Sequence, residues 1–158
     1  MKLYFDTNIY NRIFDDQNQI RIRFETMAIN IIFELVEKGM HSLVWSFILE
    51  DENRGNPYSN RRKYIKTISN VCTYSVGPDS KIRDLAYNIM NNSNTKAKDS
   101  LHLASAIYAG CNYFITCDDK FIKTINSNSD RLINIIGTIK LLNPIDFLRE
   151  EMNIDVVE

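Results

Sequence analysis

Apolar positions along the chain fall into short blocks with two different periods. Lys2-Leu3-Tyr4-Phe5 is a compact run that stops abruptly at Asp6-Thr7-Asn8, as a buried strand does when it delivers polar residues into a loop. After a polar insert around Asp15 to Gln19, the residues Phe24, Met27, Ala28, Ile31, Ile32 and Leu35 recur at helical spacing up to Gly39, a C-cap. Ser42 to Trp45 is a second strand-like run, and Ser46 can cap a helix that continues to about Asn53, where Gly55 and Pro57 stop it.

The second half repeats the alternation. Tyr58 to Asn70 reads as a helix, Val71 to Val76 alternates like a strand before Gly77-Pro78, and Asp79 to Met90 places Ile82, Leu85, Ala86, Ile89 and Met90 on one helical face. A polar loop, Asn91 to Thr95, precedes a helix from about Ala97 to Ala109. Tyr113-Phe114-Ile115 is a third strand, ending at Thr116-Cys117-Asp118-Asp119. The pattern then predicts a helix over 120–126, a last strand over 132–136 and a terminal helix opened by Pro144 and running to about Glu151. Strands alternating with helices imply an α/β fold, a three-layer α/β/α sandwich on a mostly parallel sheet.

Composition narrows the classes. A chain of 158 residues, 44% hydrophobic and 25% charged, suits one domain spanning 1–158. No apolar run approaches the ~18 residues a membrane span needs, and no signal-peptide pattern opens the chain, so a cytoplasmic protein without a membrane partner is expected. Three cysteines at irregular spacings read as reduced thiols, and two histidines are too few for a histidine-rich zinc centre, so a metal would be held by oxygen, which favours Mg²⁺ or Mn²⁺. A net charge of −1 gives no general footprint for stable nucleic-acid binding.

Ligands of parallel sheets sit beyond the carboxyl ends of the strands, and acids collect there. Asp6 follows the first strand, Asp118 follows the strand 113–115, and Asp99 lies in the first turn of a helix that begins at the same edge. Glu50 and Glu52 share a helix that leaves this edge but stand about 200° apart, so one of them is a bystander, and helical geometry alone leaves open which. Several carboxylates in one small volume repel one another unless cations offset them, which points to metal chemistry and, with Mg²⁺, to phosphodiester hydrolysis.

At these residues the sequence resembles the PIN-domain nucleases. The segments that carry the resemblance are Phe5-Asp6-Thr7-Asn8, Ser46 to Glu52, Lys98-Asp99-Ser100-Leu101-His102-Leu103-Ala104 and Ile115 to Phe121. It implies an endoribonuclease with RNA as substrate and Asp6, Glu52, Asp99 and Asp118 as metal ligands. Glu52 is preferred to Glu50 because the family's acid commonly falls six residues after the serine. Asn8, Thr116 and Asp119 become supporting or substrate contacts. An antitoxin protein and a homodimer are the partners the resemblance suggests. Two departures stand out: Lys120 occupies the place where the family often has a further acid, and the inserts at 15–19 and 52–57 are untypical of compact toxin members.

Each residue also has a plain reading. Asp6-Thr7-Asn8 can be a turn, Asp99 a first-turn anion, Asp118 an N-cap and Glu52 a solvated surface acid. His102, three positions after Asp99, is expected to pack or support rather than shuttle protons; Arg61-Arg62-Lys63 reads as a solvated helix face, and Trp45 as core. The rival functions are a non-catalytic PIN-like module that binds RNA or protein, and a phosphatase or phosphoacceptor domain. The phosphatase would need an acid where Asn8 stands, and a receiver-like domain would need an acid pair instead of the lone Asp6.

Overall fold

Leu3, Tyr4 and Phe5 have no solvent exposure, the condition of a central parallel strand covered by helices on both faces. In the computed structural model, which describes residues 1–153, this strand is β1 (Lys2–Phe5). Among the described residues it lies in the middle of an all-parallel sheet with β2 (Ser42–Ser46), β3 (Tyr74–Val76), β4 (Tyr113–Ile115) and β5 (Lys140–Leu142), in the order β3-β2-β1-β4-β5. The helices are α1 (Thr7–Asn11), α2 (Ile20–Glu37), α3 (Phe47–Arg54), α4 (Ser59–Ile68), α5 (Ser80–Asn92), α6 (Ala97–Tyr108), α7 (Asp119–Ser127), α8 (Ser129–Ile136) and α9 (Pro144–Asn153). The three-layer α/β/α expectation stands.

The strand order dictates the layers. β1 to β2 to β3 advances in one direction and β4 to β5 in the other, so right-handed crossovers place α2 and α4 on one face and α5 to α8 on the opposite one. The packing agrees: α2 lies against α9, and α5 against α6 and α8. Side chains lock the turns between layers. Ser46 Oγ accepts from Leu49 N–H at 3.2 Å, and Gly39 and Gly110, at φ +76° and +75°, end α2 and α6 in a conformation that disfavours any Cβ.

Two expected strands change. Residues 132–136 form α8 instead of a strand: Asn128 closes α7, Leu132 N–H bonds to Asn128 C=O, and Gly137 at φ +66° stops the helix, so the last strand is β5. A short apolar run does not distinguish the two by period. The strand expected over 71–76 begins only at Tyr74, because Ser69–Val71 is a 3₁₀ turn and this edge strand pairs on one side only. On α2, Ile20, Phe24, Met27 and Ile31 form an exposed apolar stripe. No helix of the described residues is long and apolar enough to cross a membrane.

Candidate active site

The site lies where the strand order reverses, between β1 and β4, the position at which parallel sheets open a crevice. Register brings its parts together: Phe5 pairs with Ile115, so Asp6 and Thr116 leave the sheet side by side, with Asp6 N–H bonded to Ile115 C=O at 3.0 Å. Thr116 Oγ1 donates to Asp6 Oδ2 at 2.8 Å, while Thr7 N–H donates to Asp6 Oδ1 at 2.8 Å. Asn8 adds two links, its Nδ2 donating to Asp6 Oδ2 at 3.2 Å and its Oδ1 accepting from Cys117 N–H at 2.9 Å. Asp6 is therefore a buried carboxylate with a fixed orientation.

Asp118 caps α7, accepting from Phe121 N–H at 3.1 Å, and its own N–H donates to Thr116 Oγ1 at 3.1 Å. Asp99 stands in the first turn of α6. Asp99 and Asp118 line a small cleft of about 50 Å³ with Asn94, Thr95, Lys96, Lys120, Phe121 and Thr124. Burial raises the pKa of Asp99, and the charges of Asp6 and Asp118 raise it further. Asp6 is pushed up as well, by burial above all, against the pull of His102 and Thr116.

Glu50 and Glu52 part company. Glu50 accepts from Trp45 Nε1 at 2.9 Å and pairs with Lys66 Nζ at 2.8 Å, and that lysine holds its pKa below the usual range. Glu52 instead meets Nε2 of His102. Burial alone would push Glu52 up, but the hydrogen bond from His102, with support from Thr7 and Lys98, outweighs it and leaves the carboxyl below its ordinary pKa. Asp119 is drawn to neither group: Arg21 of α2 binds it at 2.7 Å and lowers its pKa. Trp45 is buried, as expected of a core residue.

Sequence reasoning missed Tyr4. Its hydroxyl, fully buried, lies 2.6 Å from Ser46 Oγ and 2.7 Å from His102 Nδ1. The available signal was a tyrosine at the centre of a buried strand, where the hydroxyl requires a partner. Also missed was a second buried acid, Glu25 of α2, which has no exposure and is held by Arg12 Nη2 at 2.8 Å, by Arg21 at 3.6 Å and by Asn143 Nδ2.

Among the described residues no three His, Cys, Asp or Glu side chains converge tightly enough to enclose a metal by themselves. Mg²⁺ does not require that, since it takes one or two carboxylates and keeps several waters, and the hard oxygen donors present suit such an ion. The cleft beside Asp99 and Asp118 has room on the order of one or two water molecules.

Residues 3–126 match the family model of the PIN domain. The crystal structure of VapBC2 from Rickettsia felis bound to a DNA fragment from their promoter shares the fold, with a TM-score of 0.57 and 14% identity over 90% of this chain and 98% of that one. No curated protein matches by sequence.

Proposed function

We propose that this chain, which belongs to the PIN-domain family, is a cytoplasmic endoribonuclease acting as one domain, with Mg²⁺ or Mn²⁺ as cofactor. PIN domains are generally nucleases that use divalent metal ions. The observation that carries the reading is the gathering of Asp6, Asp99 and Asp118 at the sheet's switch point, where burial raises the carboxyls of Asp6 and Asp99 and the charges of Asp6 and Asp118 raise Asp99 further.

Asp6, Asp99 and Asp118 would hold the ion, one or two of them directly and the rest through its waters, with Glu52 at the same edge. When bound, the ion supplies Lewis-acid polarisation of a phosphate and a source of acidified water. The protein's part is orientation. Thr7 N–H, Thr116 and Asn8 fix the two oxygens of Asp6, and the cap on α7 fixes Asp118. Glu52, kept ionised beside His102, is an acceptor for a proton of water or substrate. Lys96, Lys98 and Lys120, all exposed, surround the acids and offset their repulsion of an RNA backbone.

Purified protein should cleave a panel of tRNA, rRNA and mRNA fragments in Mg²⁺ or Mn²⁺ and lose that activity in EDTA. Cleavage indifferent to EDTA would overturn the metal reading, and a folded protein that neither cleaves nor binds metal by calorimetry would overturn the enzyme.

The partner we propose is an antitoxin protein of the kind the motif resemblance suggests; a homodimer, also suggested by it, is read by light scattering. The exposed stripe on α2, spaced i, i+4, i+7 and i+11, is the complement of a partner's amphipathic helix. Replacing Phe24 and Met27 together by Ser should abolish inhibition by the antitoxin and leave the cleavage rate unchanged. Inhibition that survives this change would place the contact elsewhere.

A further inference from the structure

Five polar groups from four elements, β1, β2, α3 and α6, form a path through the core. Leu49 N–H, in the first turn of α3, donates to Ser46 Oγ at 3.2 Å; Ser46 Oγ touches Tyr4 Oη at 2.6 Å; Tyr4 Oη touches His102 Nδ1 at 2.7 Å; and His102 Nε2 meets Glu52. The path begins on α3 and returns to α3 one turn later. Ser46 and Tyr4 have no exposure, and His102 is 2% exposed, so water offers none of them an alternative partner.

The hydrogens can be placed by what each group is able to do. An ionised Glu52 only accepts, so Nε2 of His102 must carry a hydrogen. In the neutral ring Nδ1 accepts from Tyr4 Oη–H, and Tyr4 Oη in turn accepts from Ser46 Oγ–H, whose oxygen accepts from Leu49 N–H; a doubly protonated ring would reverse the chain and leave the Ser46 hydroxyl hydrogen without a partner. Every donor and acceptor on the path is used in this single arrangement, which leaves His102 one orientation and one tautomer. Burial holds the Tyr4 phenol well above its usual pKa, so it keeps its hydrogen.

We infer that Tyr4 and His102 are positioning residues for Glu52, a hydrogen-bonded strut through the core that holds this acid at the sheet edge and selects it over Glu50. The inference rests on the ribonuclease reading for its effect on rate, and on geometry alone for the strut itself. Its reach is long, since it joins the first strand, α3 and α6, so the orientation of an acid on a short helix is set by the middle of the sheet. Groups that orient a metal ligand commonly cost 10- to 100-fold in activity when removed, which sets the scale at about that range.

The test has two arms. With only two histidines in the chain, ¹⁵N-labelled imidazole is readily assigned by NMR. His102 should appear as the Nε2–H tautomer, and both Tyr4→Phe and Glu52→Gln should shift its resonances. An Nδ1–H tautomer, or resonances indifferent to both changes, would overturn the strut whether or not the protein cleaves RNA.

In the kinetic arm, Tyr4→Phe keeps the ring stacked 5.2 Å from that of Phe114 and removes only the hydroxyl. It should lower kcat about tenfold with KM unchanged. His102→Gln, which retains a donor near the Nε2 position, should keep more activity than His102→Leu at matched melting temperature. Equal losses in Gln and Leu, or losses that only follow unfolding, would overturn the positioning role. A wild-type protein with the expected NMR pattern and no cleavage would instead refute the ribonuclease reading and leave the strut standing.

Discussion

Asp99→Asn should lower kcat for RNA cleavage by more than about 100-fold, beyond the cost of removing a mere partner of a metal ligand, and should raise the melting temperature of the metal-free protein. Both effects have one cause. Burial, with the charges of Asp6 and Asp118, raises the folded-state pKa of Asp99, so the folded protein holds this proton more tightly than the unfolded chain does. The resulting destabilisation is fully present above the folded pKa and is relieved as pH falls through it. A neutral amide removes the penalty, so the variant's advantage in melting temperature should be present at neutral pH and shrink in acid. Added Mg²⁺ should stabilise the wild type more than the variant, because the variant lacks one of the charges proposed to hold the ion. A variant with wild-type turnover, or one less stable than wild type at neutral pH without metal, would contradict this account of Asp99.

The second large effect concerns stability. Arg12→Ala should cost about 3 kcal/mol, because it strands Glu25, which has no exposure, with Arg21 at 3.6 Å as its remaining cation. The figure sits at the lower end of the range for breaking buried pairs, since the Arg12 side chain is 19% exposed. In a domain of this size that corresponds to a fall of about 6–12 °C in melting temperature. Replacing Arg12 and Glu25 together by Met should recover much of the loss, because an apolar pair carries no desolvation cost. Urea unfolding of the wild type and both variants decides it, and a single mutant as stable as wild type would show that solvent already serves Glu25.

The residues at strand ends were legible because sequence neighbours remain spatial neighbours there. Asp6 to Asn8 and Thr116 to Asp118 each follow a short apolar run, and a parallel sheet has only one edge to which such runs can deliver them. Glu50 and Glu52 were not separable by geometry, since the choice depends on Trp45 and Lys66 taking one acid and His102 the other. Tyr4 read as core, which it is; only the crossing of α6 over β1 gives its hydroxyl a histidine. Glu25 was hidden for a related reason. Its partners Arg12 and Asn143 lie 13 and 118 positions away, and a glutamate on an amphipathic helix ordinarily faces water. The strand expected over 132–136 failed because burial of Leu132 alone, with Ile133 63% exposed, satisfies a helix as readily as a strand.

The strand order has a consequence for how the protein is made. β1 leaves the ribosome well before one of its two neighbours, β4, whose paired residues lie 110 positions later, and Asp6 is 110 residues from Thr116. Pairings so distant form late, because the intervening chain must be gathered before they yield any stabilisation. A nascent chain that already displays Asp6 therefore has only the local contacts of Thr7 and Asn8 to orient it until Thr116 and Asp118 emerge. The carboxylate cluster is therefore assembled only after β4 has been made, so products that stop before it carry Asp6 and Asp99 without their geometry.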